Sequence, residues 1–207
     1  MVQVVQGKDI TLAQLIDEFG LQLTQDKQFF LEWQQDLPEL RDSEKELLNQ
    51  VKEEYLHLSK YPILEPVVKM VVLSPLLRLG GFYQPPFYIA SEQEVEISSE
   101  DEGTIVRGRI DILVFHPLFW VLLIEAKRAQ YSLVPAIPQA LAYMLGNPDS
   151  GKPTFGFVTN GQEFKFIKLI KQETPIYGLS YTFSLDREED IYTVVKILKQ
   201  LANSVIV

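Results

Sequence analysis

Asp111, Glu125 and Lys127 are charges placed where apolar strands should carry none. The stretch from Arg107 to Lys127 reads RGRIDILVFHPLFWVLLIEAK. Its apolar runs, Ile110 to Phe115 and Trp120 to Ile124, predict two strands joined by a tight connection at His116-Pro117-Leu118. Asp111 interrupts the first strand, and Glu125 with Lys127 closes the second. A hairpin turning about His116 to Trp120, with Phe115 opposite Val121, sets Asp111 opposite Glu125 and Arg109 opposite Lys127, all on one face. Two carboxylates opposed across a ladder, roughly 5 Å apart, repel unless something neutralises them. A divalent cation would do so, since a hard metal such as magnesium takes carboxylate oxygens and keeps several waters. The blander alternatives are a solvent-facing Glu125–Lys127 pair at a strand end and an Asp111–Arg109 pair.

The elements around this pair follow from periodicity and punctuation. Thr11 caps a helix over 11–19 that Gly20 stops, and 28–35 reads as a short helix or turn. After Pro38, Asp42-Ser43-Glu44-Lys45 begins a helix running to about Ser59, with Glu53, Glu54 and His57 on its solvated side. A second helix, from near Ile63 to Leu79, is apolar nearly all round and should be buried, with a kink or break at Pro75. Glu65 sits in its first turn, either favouring the helix dipole or pointing at the carboxylate pair. Gly80-Gly81 ends it. Phe87 to Ala90 reads as an edge-like strand, Val95 to Ile97 as a second short strand or its continuation, and SSEDEG over 98–103 as an acidic hairpin connection. A helix from Ser132 or Pro135 to about Leu145 puts Gln139 and Tyr143 one turn apart on one face. Asn160-Gly161, between alternating runs 154–159 and 163–169, is a strong hairpin signal. Tyr181 to Phe183 suggests an edge strand, and Ser184 or Asp186 caps a final helix to about Asn203. The expected organisation is a helical extension over 1–60 and one α/β (α+β) domain over 61–207.

Composition narrows the function classes. The chain of 207 residues has no cysteine and only two histidines, which excludes a disulfide framework, a thiol nucleophile and a histidine-rich metal centre. No run of 18 apolar residues occurs and the N-terminus has no signal-peptide pattern, so a cytoplasmic protein with no membrane partner is expected. The net charge of −9 weighs against nucleic acid. Its distribution weighs less so: the first sixty residues carry twice as many acids as bases, and Glu92 to Glu102 adds six acids and no base. Residues 103–171 hold eight bases against four acids, two of which are Asp111 and Glu125. Scattered solvated lysines would give the same count.

The order helix, strands, Asp-bearing strand, Glu-x-Lys strand, helix, strand resembles the core of the restriction-endonuclease-like nucleases, whose signature is PD-(D/E)xK. Here it reads Asp111, 13 residues, then Glu125-Ala126-Lys127, with Ile110 where the proline would stand. Glu65 matches the upstream acid of that superfamily, and Gln139 with Tyr143 matches its QxxxY motif. From Glu65 to Leu169 the chain is similar to the N-terminal nuclease domain of type I restriction enzyme R subunits. It holds no GxxxxGK[ST] motif, so ATP-driven translocation is not implied.

The resemblance implies a central mixed sheet flanked by helices, and magnesium-dependent phosphodiester hydrolysis of DNA with manganese as a substitute. Asp111 and Glu125 would be metal ligands, with the Ala126 carbonyl a third and Glu65 reaching the metal directly or through water. Lys127 would orient or deprotonate the attacking water and stabilise charge on the phosphoryl group. Gln139 and Tyr143 would position the DNA backbone, or the loop beside the site, and Arg109 would meet a phosphate. Cutting both strands calls for a homodimer, and a separate specificity or motor subunit is the other expected partner. The alternative is a non-cleaving nucleic-acid- or protein-binding module that keeps the fold. RNA as substrate stays open, because phosphate chemistry does not read the sugar.

Overall fold

The sheet is organised by one long strand that changes partners halfway along. In the computed structural model, which describes residues 3–99, 103–116, 119–149 and 151–206, the chain begins with β1 (Gln3–Gln6), a 3-10 turn and α1 (Leu12–Phe19). Then come β2 (Gln22–Leu23), α2 (Asp42–Leu58), α3 (Glu65–Val68), a π-helical turn (Lys69–Leu73) and α4 (Ser74–Gly80). The central pair is β3 (Tyr88–Ser98) and β4 (Thr104–His116), followed by β5 (Phe119–Ala126) and α5 (Ala136–Leu145). The chain finishes with β6 (Thr154–Thr159), β7 (Glu163–Ile170), β8 (Ile176–Leu179), β9 (Phe183–Ser184) and α6 (Asp190–Ile206). Residues 117 and 118 of the expected connection, and 100–102 of the acidic loop, lie outside the described residues.

The strand order is β1-β4-β5-β6-β7-β8-β2, with β3 on β4 and β9 on β7. β3 runs antiparallel along nearly the whole of β4. The opposite edge of β4 is shared: its start pairs in parallel with β1, Gln3 to Gln6 against Thr104 to Arg107, and its end pairs antiparallel with β5 from Ile112 onward. Between them, residues 108–111 are where one neighbour leaves and the other arrives.

The central strands β5 and β6 are buried on both faces, which is why they read as near-continuous apolar runs, whereas β3 is exposed or half-buried throughout. α1 and α5 cover one face over Val106, Ile110, Leu123 and Ile167. α2, the α3–α4 helix and α6 cover the other over Leu122, Ile124, Phe157 and Phe166. Full burial of each such side chain contributes about 2 kcal/mol.

Local signals account for many boundaries. Thr11 accepts from the Gln14 backbone amide (3.2 Å) while the Gln14 side chain accepts from the Thr11 amide (3.0 Å), the capping box that starts α1. Gly20, with φ 66°, stops it. Gly161 takes φ 88° in the β6–β7 hairpin, as the Asn-Gly pair predicts. Pro75 has no amide for the Val71 carbonyl, and the helix absorbs this not as a break but as a π turn in which the Ser74 amide reaches the Lys69 carbonyl.

Several expectations are corrected. Residues 1–60 are not purely helical, since β1 joins β4 and β2 pairs with Ile176 and Tyr177 of β8. The segment 87–97 takes the second of its two readings, one continuous strand, beginning at Tyr88 rather than Phe87. α2 begins at Asp42 as expected, and the Arg41 backbone amide before it donates to Glu44 (2.8 Å). The edge strand expected at 181–183 forms at Phe183–Ser184. Phe115 faces Trp120 rather than Val121, because the ladder shifts register after Val114. On the site side of that bulge, Ile112 pairs with Ile124, the register that brings Asp111 beside Glu125. Arg109 does not face Lys127: β5 has turned to β6, with the Lys127 amide on the Thr159 carbonyl (2.8 Å), and Arg109 pairs with Glu94 across β3 (3.2 Å).

Candidate active site

The fork in β4 gathers polar groups from both helical layers. Asp111 comes from β4, Glu125 from β5 and Lys127 from just beyond it. Gln139 and Tyr143 come from α5 on one face, Glu65 and Lys69 from the α3–α4 helix on the other. Asp111 Oδ2 accepts the Ala126 backbone amide (2.8 Å), tying β4 to the end of β5. Glu125 Oε2 accepts from Gln139 Nε2 (2.7 Å), and Lys127 Nζ lies 3.6 Å from the same oxygen. Lys127 Nζ donates to Gln139 Oε1 (2.8 Å), so one amide holds both members of the Glu-x-Lys pair. Gln139 also donates to the Tyr143 hydroxyl (3.3 Å).

Burial gives these contacts their electrostatic weight. The Glu125 side chain is 1% exposed, that of Asp111 14%. Desolvation, and then the Asp111 charge, push the Glu125 carboxyl up to about 8, against the opposing pull of Lys127. Burial likewise raises Asp111, opposed by the Ala126 amide and Lys69. Tyr143 is raised by burial and by Glu125. Two carboxyl groups disfavouring charge at one spot are chemically a request for a cation. The donor set suits one, since carboxylate oxygens match magnesium or manganese. Among the described residues no three carboxylate or imidazole groups converge as a metal site on their own.

Tyr143 is fitted closely against the fork. A Cβ on Gly108 would fall 2.1 Å from its hydroxyl oxygen, and one on Gly7 2.3 Å from its ring, so both positions need glycine. An open groove of about 780 Å³ leads to this point, lined by Lys8, Arg107, Arg109, Gln139 and Tyr143 and by Glu94 and Glu96. Arg107 and Arg109 are exposed and paired with Glu96 and Glu94. Across β4 from Asp111, Glu92 holds a left-handed backbone (φ 54°), uncommon for a residue with a Cβ.

The structure thus brings Glu65, Asp111, Glu125, Ala126, Lys127, Gln139 and Tyr143 together, and leaves Arg109 on the groove wall. Sequence reasoning missed Lys69. Its Nζ lies 2.7 Å from Glu65 Oε1 and 3.0 Å from Asp111 Oδ1. The available signal was its place as the lone charge between Glu65 and Arg78 in an otherwise apolar helix, four residues after an acid.

By fold and site, the protein is of the class with a mixed central sheet between helical layers and an Asp, Glu-x-Lys and Gln cluster at the fork of two strands. The chain belongs to the family described as the type I restriction enzyme R protein N terminus, whose model matches residues 8–174. Among solved structures it is similar to the fragment structure of a putative HsdR subunit of a type I restriction enzyme from Vibrio vulnificus YJ016. The identity is 20% and the TM-score 0.40, over 65% of this chain and 25% of that one. The chain therefore spans about a quarter of that relative's length. No curated protein matches.

Proposed function

We propose that this chain is a metal-dependent deoxyribonuclease that hydrolyses phosphodiester bonds in DNA at the Asp111–Glu125–Lys127 cluster. The observation that carries this reading is the carboxylate pair at the β4–β5 fork, with Lys127 held beside it by Gln139. Family membership supports it. Asp111 and Glu125 would hold magnesium or manganese, with the Ala126 carbonyl, and Glu65 directly or through water, completing the ligands. A bound divalent ion supplies Lewis-acid polarisation of the phosphoryl group and a more acidic water. Lys127, fixed by Gln139 Oε1, orients the attacking water and offers an N–H to the charge that develops on phosphorus-bound oxygen. Gln139 keeps the lysine and Glu125 in register, and Tyr143 braces Gln139. Arg107 and Arg109 exchange their surface glutamates for DNA phosphates along the groove.

DNA and the other subunits of a restriction system are the partners this reading calls for, in the cytoplasm, with a homodimer for double-strand cutting. Among the described residues no helix is long and apolar enough to cross a membrane. A second reading, a binding module that does not cleave, is favoured by one observation: Lys69 already supplies a positive charge to Asp111.

The test is plasmid nicking with magnesium or manganese. Wild type should convert supercoiled to open-circle DNA, and Asp111→Ala and Lys127→Ala should each lose the activity by at least about 100-fold. Cleavage that survives both substitutions would refute the assigned site.

A further inference from the structure

Lys69 sits on the Asp111 oxygen that the Ala126 amide does not use. Asp111 Oδ2 is engaged by the Ala126 amide (2.8 Å), and Oδ1 by Lys69 Nζ (3.0 Å). The same ammonium is 2.7 Å from Glu65 Oε1, so it bridges carboxylates from two elements in the manner of a cation. It is not a loosely solvated surface lysine: its side chain is 20% exposed, and its stem leaves the first residue of the π turn. In that turn, which directly precedes Pro75, the Ser74 amide bonds the Lys69 carbonyl. The fold therefore builds a positive charge into the carboxylate site from a helix that also carries a candidate ligand.

We propose that Lys69 is an internal counter-cation that competes with the divalent ion for Asp111. Metal binding at Asp111 Oδ1 requires Lys69 to release that oxygen; the lysine keeps its i,i+4 partner through Glu65 Oε1, and the second oxygen of that 34% exposed carboxylate serves the metal or its water. The consequence is a site whose affinity for the metal alone is set low. This inference rests on the metal-nuclease reading above.

The experiment is calorimetric titration of manganese alone, without DNA, into wild type, Lys69→Met and Lys69→Arg, each with and without Asp111→Asn. Lys69→Met keeps the apolar stem and removes the charge. It should bind manganese about fivefold more tightly than wild type, the scale expected for giving up the one ion pair with Asp111. Asp111→Asn should abolish the gain. Lys69→Arg, which retains the charge, should stay within about twofold of wild type. Lys69→Gln gives an independent reading of the neutral variant should Lys69→Met fold poorly by circular dichroism. Equal or weaker binding by the neutral variants, with wild-type binding dependent on Asp111, would overturn the counter-cation role and leave the nuclease reading standing. If wild type binds no manganese, binding that appears in the neutral variants supports the proposal. Its absence there as well would overturn both.

Discussion

Replacing Glu125 by glutamine removes a titratable group from the most buried carboxyl of the site while keeping an oxygen for Gln139 Nε2. In metal-free protein, burial and the Asp111 charge raise the Glu125 pKa from 4.5 to about 8. A carboxyl raised in the folded state favours folding while it is protonated. Its contribution is complete below about pH 4.5 and is lost as pH rises through about 8. At ~1.36 kcal/mol per pH unit, the shift sets a ceiling of about 5 kcal/mol. The effective interior dielectric is higher than that of dry protein, so about 2 kcal/mol is expected. Urea unfolding in the presence of a chelator, from pH 5 to pH 9, measures it. Glu125→Gln should match wild type at the acid end, within the cost of the altered hydrogen bond, and exceed it by about 2 kcal/mol above pH 8. A difference that is flat with pH, or wild type gaining on the variant as pH rises, would mean that Glu125 is ionised in the fold and that the desolvation argument is wrong.

Gly108→Ala should cost about 1–3 kcal/mol, because the new methyl meets the Tyr143 hydroxyl at 2.1 Å. Tyr143→Leu in the same chain should return part of that loss, and strictly additive effects in the double-mutant cycle would exclude the contact as the cause. Gln139→Leu removes the amide that joins Glu125 to Lys127, and should lower both manganese affinity and nicking by about 10–100-fold with the circular dichroism spectrum unchanged. At Glu44, burial opposes ionisation, but Lys199 and Arg41 outweigh it and hold the carboxyl at about 2. Glu44→Gln should therefore destabilise the protein by about 1 kcal/mol at pH 7, a difference present above about pH 4.5 and lost as pH falls through about 2, read from acid unfolding curves.

The parts of this protein legible in its sequence are those governed by local repetition. Alternation along β4 and β5 placed Asp111 beside Glu125, because side-chain period and strand pairing are both set within a few residues. Helical period put Gln139 under Tyr143, Thr11 announced α1, and Asn160-Gly161 announced the β6–β7 hairpin. What the sequence could not show are contacts between segments that share no period. Gln3–Gln6 and Gln22–Leu23 are too short to display strand alternation, and they become strands only because β4 and β8 offer them edges. The register shift after Val114 and the direction of Arg109 depend on where β5 leaves β4 for β6. The need for glycine at positions 7 and 108 appears only once the Tyr143 ring arrives from α5. Lys69 is the clearest case: its spacing from Glu65 was visible in the chain, but its reach to Asp111 was decided by the packing of a π-turned helix against a forked sheet. Sequence alone determined which residues are able to do chemistry here. The tertiary structure decided which of them meet, because pairing between distant segments depends on the shape of the assembled layers and not on any local pattern.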